Sequence, residues 1–363
     1  MTLMARLGLA VVLLCVACAS ADPPPPLVRL HLTADLHIGG QDEGPTSFAD
    51  VRGFAVDGSG HIYILEAQAQ QVRVFDSLGA LVHTIGRKGA GPGEFEMANG
   101  LYLGPRDQLW VYDPGNARVS VFDTSGVLRS TYPLNITGYG YTWDGVVDTA
   151  GRLYDEGSVP DGDSTVSAIL HRTLSTGHVD TLKWPPCPVS APPAYRYPRG
   201  FAMVPYSNGL FRRLDDRGFV WCGDTKTLRL FQFLVGDSTP LRTFEAPAEP
   251  APVTSAERDS AVQGLQEHMK RAGSTALDYS RIPSAKPILV RADPDDRGRL
   301  WAQIEARDGW HALVFDSGGV LRAEVQLPFP PHRWLPLIVR DNHLFTVTRD
   351  SLDTPGITRF LVE

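Results

Sequence analysis

The stretch Gly53–Gly86 reads GFAVDGSGHIYILEAQAQQVRVFDSLGALVHTIG. It contains four short runs rich in alternating apolar residues, Gly53 to Asp57, His61 to Leu65, Gln71 to Phe75 and Leu81 to Ile85. Alternation of period two, interrupted by Gly58-Ser59-Gly60 and by Asp76 to Gly79, marks half-buried strands joined by tight turns. The stretch therefore predicts one four-stranded antiparallel sheet. The plan recurs 47 residues later: Ile38-Gly39, Gly44-Pro45 and Phe48 return as Ile85-Gly86, Gly91-Pro92 and Phe95. Ile62-Tyr63 returns as Leu109-Trp110, and Val72 to Asp76 with Gly79 returns as Val119 to Asp123 with Gly126. A repeat of about 40 to 50 residues built from short strands is the signature of a propeller blade.

A turn followed by an aliphatic-aromatic pair tracks the repeat along the chain, at Ile62-Tyr63, Leu109-Trp110, Leu153-Tyr154, Val220-Trp221, Leu300-Trp301 and Leu344-Phe345. The aromatics are spaced by 47, 44, 67, 80 and 44 residues, so six blades are expected, with insertions in the two long intervals. One large side chain per unit suits the wedge between neighbouring blades. The last unit runs out after three strands, near Leu335 to Val339, Leu344 to Thr348 and Ile357 to Val362. Val28 to Ile38 should supply the fourth, closing the ring by a sheet ladder and leaving no open edge. The expected fold is all-β: a six-bladed β-propeller of four-stranded antiparallel blades, closed by the N-terminal strand, with one helical insertion.

GFAVD, HIYIL, QVRVFDSLG and the glycine-rich IGRKGAGPGEF resemble NHL repeats, and the chain resembles the six-bladed propeller proteins that bacteria export, often as lipoproteins. The resemblance is strong over residues 30–130 and weaker in the third and fourth units. It implies architecture far more than activity, because NHL-like propellers include ligand sensors, interaction scaffolds, calcium-dependent lactonases and a zinc lyase. Units of this type often carry D-x-x-N-x-R after the second strand. Asp113, Asn116 and Arg118 match it, the first unit departs with Glu66, Gln70 and Arg73, and the other units lose it. Asn116 and Arg118 are expected to stabilise their hairpin.

The N-terminal residues read as a secretory leader: Arg6, the apolar run Leu7 to Leu14, then small residues. Two processing sites compete within residues 1–21. Ala19-Ser20-Ala21 fits cleavage to a soluble product, and Val16-Ala17-Cys18 resembles a lipobox with Cys18 as the lipidated residue, the preferred reading. Residues 22–27, with four consecutive prolines, form a tether, and 28–363 form one propeller domain with insertions at about 184–211 and 250–286. No other apolar stretch reaches the ~18 to 20 residues of a membrane-crossing helix. Export also makes a Cys187–Cys222 disulfide a live alternative to two free thiols.

The chain is 363 residues, 43% hydrophobic and 21% charged, with 34 Lys+Arg against 41 Asp+Glu and a net charge of −7. This excludes disorder as the main state and offers no clustered cations for a nucleic-acid backbone. The glycine-rich run 86–93 lacks the order of a phosphate loop and reads as an inter-blade connector. Neither G-x-S-x-G nor H-E-x-x-H occurs. Asp57, Asp148, Asp215-Asp216 and Asp293 to Asp296 read as turn residues. Asp155, Glu156, Asp161 and Asp163 form the one acidic cluster with oxygen donors suited to a metal, without EF-hand order. Tyr139, Tyr141, Trp143 and Asp144 enter the third unit as a candidate channel-mouth cluster.

The first insertion, Trp184 to Phe211, carries seven prolines and Tyr195, Arg196, Tyr197 and Arg199, the composition of a recognition loop, or of a loop draped over the blade edge and fixed by Cys187, that forms neither strand nor helix. The second contains a helix predicted over Thr254 to Ala272 from a capping box, with Val262, Leu265 and Met269 on the face expected to pack on the ring. Together these features favour an exported, monomeric binding module without catalytic activity. Its ligand would be a small molecule, glycan or protein, with no nucleic acid and with membrane contact only through Cys18. No cofactor is required by the sequence. The alternative is a hydrolase, lactonase or lyase using calcium or zinc held in the channel by side chains from several blades.

Overall fold

A computed structural model describes residues 27–40, 44, 46–134, 145–161, 164–173, 178–189, 192–197, 200–273 and 277–363. Six antiparallel sheets follow one another along the chain. From inner to outer strand, blade 1 is Val51–Val56, Ile62–Glu66, Gln71–Phe75 and Leu81–Ile85. Blade 2 is Gly100–Leu103, Leu109–Asp113, Arg118–Phe122 and Leu128–Pro133. Blade 3 is Val146–Val147, Arg152–Asp161, Ser164–Thr173 and Val179–Leu182. Blade 4 is Leu210–Leu214, Phe219–Asp224, Arg229–Leu234 and Arg242–Glu245. Blade 5 is Leu289–Pro294, Leu300–Ala306, Gly309–Phe315 and Leu321–Gln326. Blade 6 is Ile338–Arg340, His343–Arg349 and Pro355–Val362, completed by Leu32–Ile38. The molecule is a six-bladed β-propeller.

Closure differs from expectation in one respect. Leu32–Ile38 pairs antiparallel with Pro355–Val362, as the repeat requires. Val28–Leu30 does not extend that strand. It lies parallel to Leu321–Gln326 on the outer edge of blade 5, Val28 beside Ala323 and Leu30 beside Val325. The N-terminal segment thus stitches blade 5 to blade 6, covering one outer edge while completing the other blade.

The recurrent aromatic is explained by a recurrent carboxylate six residues before it. Asp57 Oδ1 accepts the backbone N–H of Ser59 and His61, while Oδ2 accepts the Tyr63 hydroxyl at 3.2 Å. Asp148 does the same for Ala150, Arg152 and Tyr154. Asp215 takes Arg217, Phe219 and the Trp221 indole N–H at 2.7 Å, and Asp295 takes Arg297, Arg299 and the Trp301 indole N–H at 3.0 Å. Each carboxylate both folds the turn and satisfies the polar tip of a ring that is otherwise inside the core. In blade 6 the aromatic is Phe345, which has no polar atom, and the position six before it is Val339.

Each aromatic fills a different inter-blade core. Tyr63 packs between blades 1 and 2, Trp110 between 2 and 3, and Tyr154 between 3 and 4. Trp221 packs between 4 and 5, Trp301 between 5 and 6, and Phe345 between 6 and 1. A seventh apolar cluster lies outside the ring and joins the two insertions.

The insertions are more ordered than their composition suggests. The first contains a hairpin of Ala194–Tyr197 and Gly200–Met203, correcting the expectation of a strandless loop. No proline lies within either strand, so none removes a donor from the ladder. The second contains the helix Ser255–Ala272, with Thr254 and Glu257 forming the capping box and Gly273 closing the C-terminus in the left-handed region. Leu265 and Val262 pack against Tyr195, Ala202 and Val204 of the hairpin, so the apolar face meets the other insertion and not the ring. Cys187 and Cys222 form a disulfide, Cα–Cα 6.1 Å, that fastens the first insertion to the second strand of blade 4.

Three outcomes are expected from urea denaturation. Asp295→Asn turns an amide N–H toward the Trp301 N–H and should cost about 2 kcal/mol. Combined with Trp301→Phe, which removes the donor as blade 6 does naturally, it should show a favourable coupling of about 1 kcal/mol. Cys187→Ala with Cys222→Ala should cost about 2 to 4 kcal/mol, read as a lower urea midpoint.

Candidate functional site

The inner strands of all six blades surround an axial channel. Its wider part, about 320 Å³, opens at the end where each first strand turns into the second, and a narrower part of about 60 Å³ lies toward the opposite end. The residue eight before each landmark aromatic falls at one level: Ala55, Tyr102, Val146, Arg213, Asp293 and Leu337, all lining the wider part. In ring order these are apolar at blades 1, 3 and 6 and polar at blades 2, 4 and 5, so Arg213 and Asp293 are neighbours and Tyr102 stands across Val146 from them. Arg213 also lines the narrower part, beside Arg52, Arg291 and Trp334.

Asp293 is the hub of the polar groups. It is 2% exposed and forms an ion pair with Arg213 across the blade 4–blade 5 boundary. Within blade 5, Arg291 and Asp293 are two residues apart on one strand, and Gln303 stands opposite Arg291 in the register, so all three share a face. Arg291 Nε donates to Asp293 Oδ1 at 2.9 Å, and Gln303 Nε2 donates to Oδ2 at 2.7 Å. The Leu337 N–H, on the approach to blade 6, donates to Oδ2 at 3.2 Å. One buried carboxylate therefore ties three blades together at the channel wall, where removing it would leave guanidinium groups facing a low-dielectric interior.

The remaining polar groups differ in state. Burial pushes Tyr102 well above the ordinary tyrosine value, and the Asp216 carboxylate that its hydroxyl hydrogen-bonds adds to the effect. Tyr102 is therefore a neutral donor-acceptor at all physiological pH. Burial also raises Asp215 above the usual carboxylate range, against the lowering effect of the Trp221 N–H. Asp107, Asp216 and Asp296 stand with Arg217 and Arg340 around the wide mouth.

Sequence reasoning placed few of these residues. Asp293 was expected to be a turn residue like its neighbours; the turn belongs to Asp295, and Asp293 faces the channel two residues earlier. Arg213 and Tyr102 were not singled out. All three follow from counting eight residues back from each aromatic, a signal present in the repeat itself.

The expected candidates lie elsewhere. Tyr139, Tyr141, Trp143 and Asp144 fall outside the described residues, as do Arg199, Asp163 and Cys18. Tyr195 is buried and its hydroxyl donates to the Asp278 carbonyl at 2.8 Å, with Arg281 over its ring. The Tyr197 hydroxyl hydrogen-bonds His268 Nε2 at 2.7 Å, on the helix, and Arg196 points from the opposite, exposed face of the hairpin. Tyr195 and Tyr197 thus dock one insertion on the other. Asp155 and Glu156 are adjacent on a strand and so project to opposite faces, which prevents convergence on one ion. Glu156 accepts instead from Arg212, and Asp161 ends the same strand. Among the described residues, no group of three or more His, Cys, Asp or Glu side chains has the geometry of a metal site.

Asn116 and Arg118 hold the inter-blade connector. Asn116 Nδ2 donates to Asp113 Oδ2 and the Gly89 carbonyl, and Arg118 donates to the carbonyls of Gly91 and Glu94. Gly86 and Gly93 in that connector have φ of 77° and 76°, the left-handed conformation expected of it.

A family model described as a 6-bladed beta-propeller matches residues 55–137. Among solved structures, a member of the DUF4221 family from Bacteroides vulgatus superposes with a TM-score of 0.56 at 12% identity, covering 93% of this chain and 99% of that one. A candidate exported protein of Bacteroides fragilis superposes with a TM-score of 0.50 at 12% identity, covering 92% and 95%. No curated protein matches the sequence. The shared property is the NHL-like propeller fold.

Asp293→Leu is expected to destabilise the ring by about 3 kcal/mol, because Arg213 and Arg291 lose their common anion. Arg213→Met, which leaves Asp293 paired with Arg291, should cost less in the same urea titration.

Proposed function

We propose that this chain is an exported binding propeller that takes a small polyhydroxylated ligand in its axial channel. The observation that carries the reading is the level ring of six residues, three polar and three apolar, with the charges of Arg213 and Asp293 on adjacent blades, around a cavity of about 320 Å³. That volume lies at the lower end of the range for ligand pockets. At about 30 Å³ per water it holds roughly ten waters, which suits a monosaccharide-sized molecule. Such a ligand presents hydroxyls on its rim and C–H groups on its faces. Arg213, fixed by Asp293, supplies donors and the Tyr102 hydroxyl an acceptor, while Ala55, Val146 and Leu337 offer apolar surface.

Two further features support the reading. A disulfide persists in oxidising compartments outside the cytosol, which agrees with the leader at the N-terminus and with export. The carboxylates near the channel are engaged in turns, in the Arg213–Asp293 pair and with Tyr102, an arrangement suited to fixed hydrogen-bond donors and acceptors.

The test is a thermal-shift screen of the mature protein against neutral sugars, polyols and sugar acids. At least one is expected to raise Tm in a concentration-dependent way, and Arg213→Gln and Tyr102→Phe should each abolish or weaken the shift. A wild-type protein that responds to none of them, or variants that respond unchanged, would remove the channel as the site. Elemental mass spectrometry of protein purified without chelator should find no stoichiometric calcium or zinc; one retained ion per chain would favour the hydrolytic alternative.

A further inference from the structure

Among the described residues, blades 1, 2, 4 and 5 turn from their third to their fourth strand at the same end of the ring, and each of these turns exposes a large aliphatic side chain. These are Leu78 in blade 1, Val127 in blade 2, Leu241 in blade 4 and Val320 in blade 5, between 46% and 83% exposed. Three of the turns are fixed by an aspartate. Asp76 accepts the N–H of Leu78 and Ala80, Asp123 those of Ser125 and Val127, and Asp316 those of Gly318 and Val320. The aliphatic tips are thus held outward on rigid turns. Scattered exposed aliphatics are ordinary on a protein surface. Recurrence in the same turn of four blades, around one rim, is not scatter.

Three observations indicate what this rim meets. First, the tips are spread over blades 1, 2, 4 and 5 instead of forming one patch, so the matching surface must be broad, flat and apolar at shallow depth. The interfacial zone of a bilayer has that form. Second, the described chain starts at the same rim: Val28, itself exposed, pairs beside Ala323, three residues past Val320. Cys18 lies nine residues before Leu27, a reach of about 30 Å at most. Third, both insertions join an outer strand to the next inner strand and therefore belong to the opposite face. The bare turns face one way and the elaborated loops the other.

We propose that the rim carrying Leu78, Val127, Leu241 and Val320 rests on the bilayer to which Cys18 tethers the chain; this rests on the reading of the protein as exported and lipidated. Seated in this way, the ring turns its wide channel mouth to the lipid. The narrow mouth, with Trp334, and both insertions face away from it.

The test uses the processed chain beginning at Cys18, whose thiol is the one left after Cys187 and Cys222 are bridged. It is coupled to a maleimide lipid in phosphatidylethanolamine–phosphatidylglycerol vesicles, and hydroxyl-radical oxidation is mapped by mass spectrometry with and without vesicles. Oxidation of Leu78 and Leu241 is expected to fall several-fold on the vesicles. Leu352, 69% exposed in the turn between the second and third strands of blade 6 and so on the opposite face, should be unchanged. Equal oxidation at Leu78 and Leu352, protection at Leu352 instead, or protection of the rim in concentrated protein without vesicles would each overturn the proposal, the last by assigning the rim to a second copy of the chain. Intact mass of the native protein separates the premise from the inference. An unacylated Cys18 removes the anchor, whereas an acylated Cys18 with unprotected turns removes only the resting face.

Discussion

The structure depends on a carboxylate that holds an aromatic ring by its polar edge. In a propeller every blade must fill the wedge between itself and the next, and tyrosine or tryptophan does so with the largest apolar area per residue. The cost is a hydroxyl or indole N–H carried into the core, where an unpaired polar group is expensive. Asp57, Asp148, Asp215 and Asp295 resolve this by using one oxygen for two turn N–H groups and the other for the ring. Local turn and inter-blade packing are therefore specified by one residue. Blade 2 is the exception that shows the coupling: Gly104 stands in the aspartate's place, and the Trp110 indole N–H has no hydrogen-bond partner among the described residues. Trp110 instead stacks on Tyr132, centroids 5.4 Å apart, and a Cβ at Gly104 would meet its Nε1 at 2.5 Å.

This coupling is also why the architecture was legible from the chain. A turn residue and an aromatic at fixed separation form a local signal that survives insertions, so six blades could be counted even where intervals stretched to 67 and 80 residues. The channel was less legible, because its lining is set by a residue whose identity varies from blade to blade. Asp293 shows the difficulty, since in Asp293-Pro294-Asp295-Asp296 composition alone does not tell the wall residue from the turn residue. Register does, as Asp295 lies six before Trp301 and Asp293 eight. The hairpin in the first insertion escaped for another reason. Its strands are four residues each, too short for period-two alternation to stand out among seven prolines.

The channel is asymmetric, and the asymmetry follows the insertions. Arg213 and Asp293 lie on the inner strands of blades 4 and 5, each immediately after one of the two inserted segments. Those segments pack on each other through Tyr195, Leu265 and Ile282, and the Tyr197–His268 contact and the Cys187–Cys222 bridge bind them further. The blades that resemble the repeat most closely contribute Ala55 and Tyr102 to the level ring, whereas the two that follow insertions contribute its charges. Departure from the repeat is concentrated in one sector, from the outer elaboration to the channel wall.

That concentration has a mechanical consequence. A ring of near-identical blades is held by six comparable cores, but the boundary between blades 4 and 5 has in addition a buried ion pair, which fixes geometry more than it adds stability. Asp293 meets Arg213 from one side, Arg291 and Gln303 from its own sheet, and the Leu337 N–H from the approach to blade 6. Every oxygen of that carboxylate is engaged, so its position is over-determined, and it holds the guanidinium of Arg213, a residue that lines both parts of the channel. A side chain that long would otherwise sample several rotamers at an entropic cost to any ligand it must grip. Held from the neighbouring blade by Asp293, Arg213 is fixed before any ligand arrives, and the sector of the ring that diverged from the repeat is the one with a preorganised polar surface.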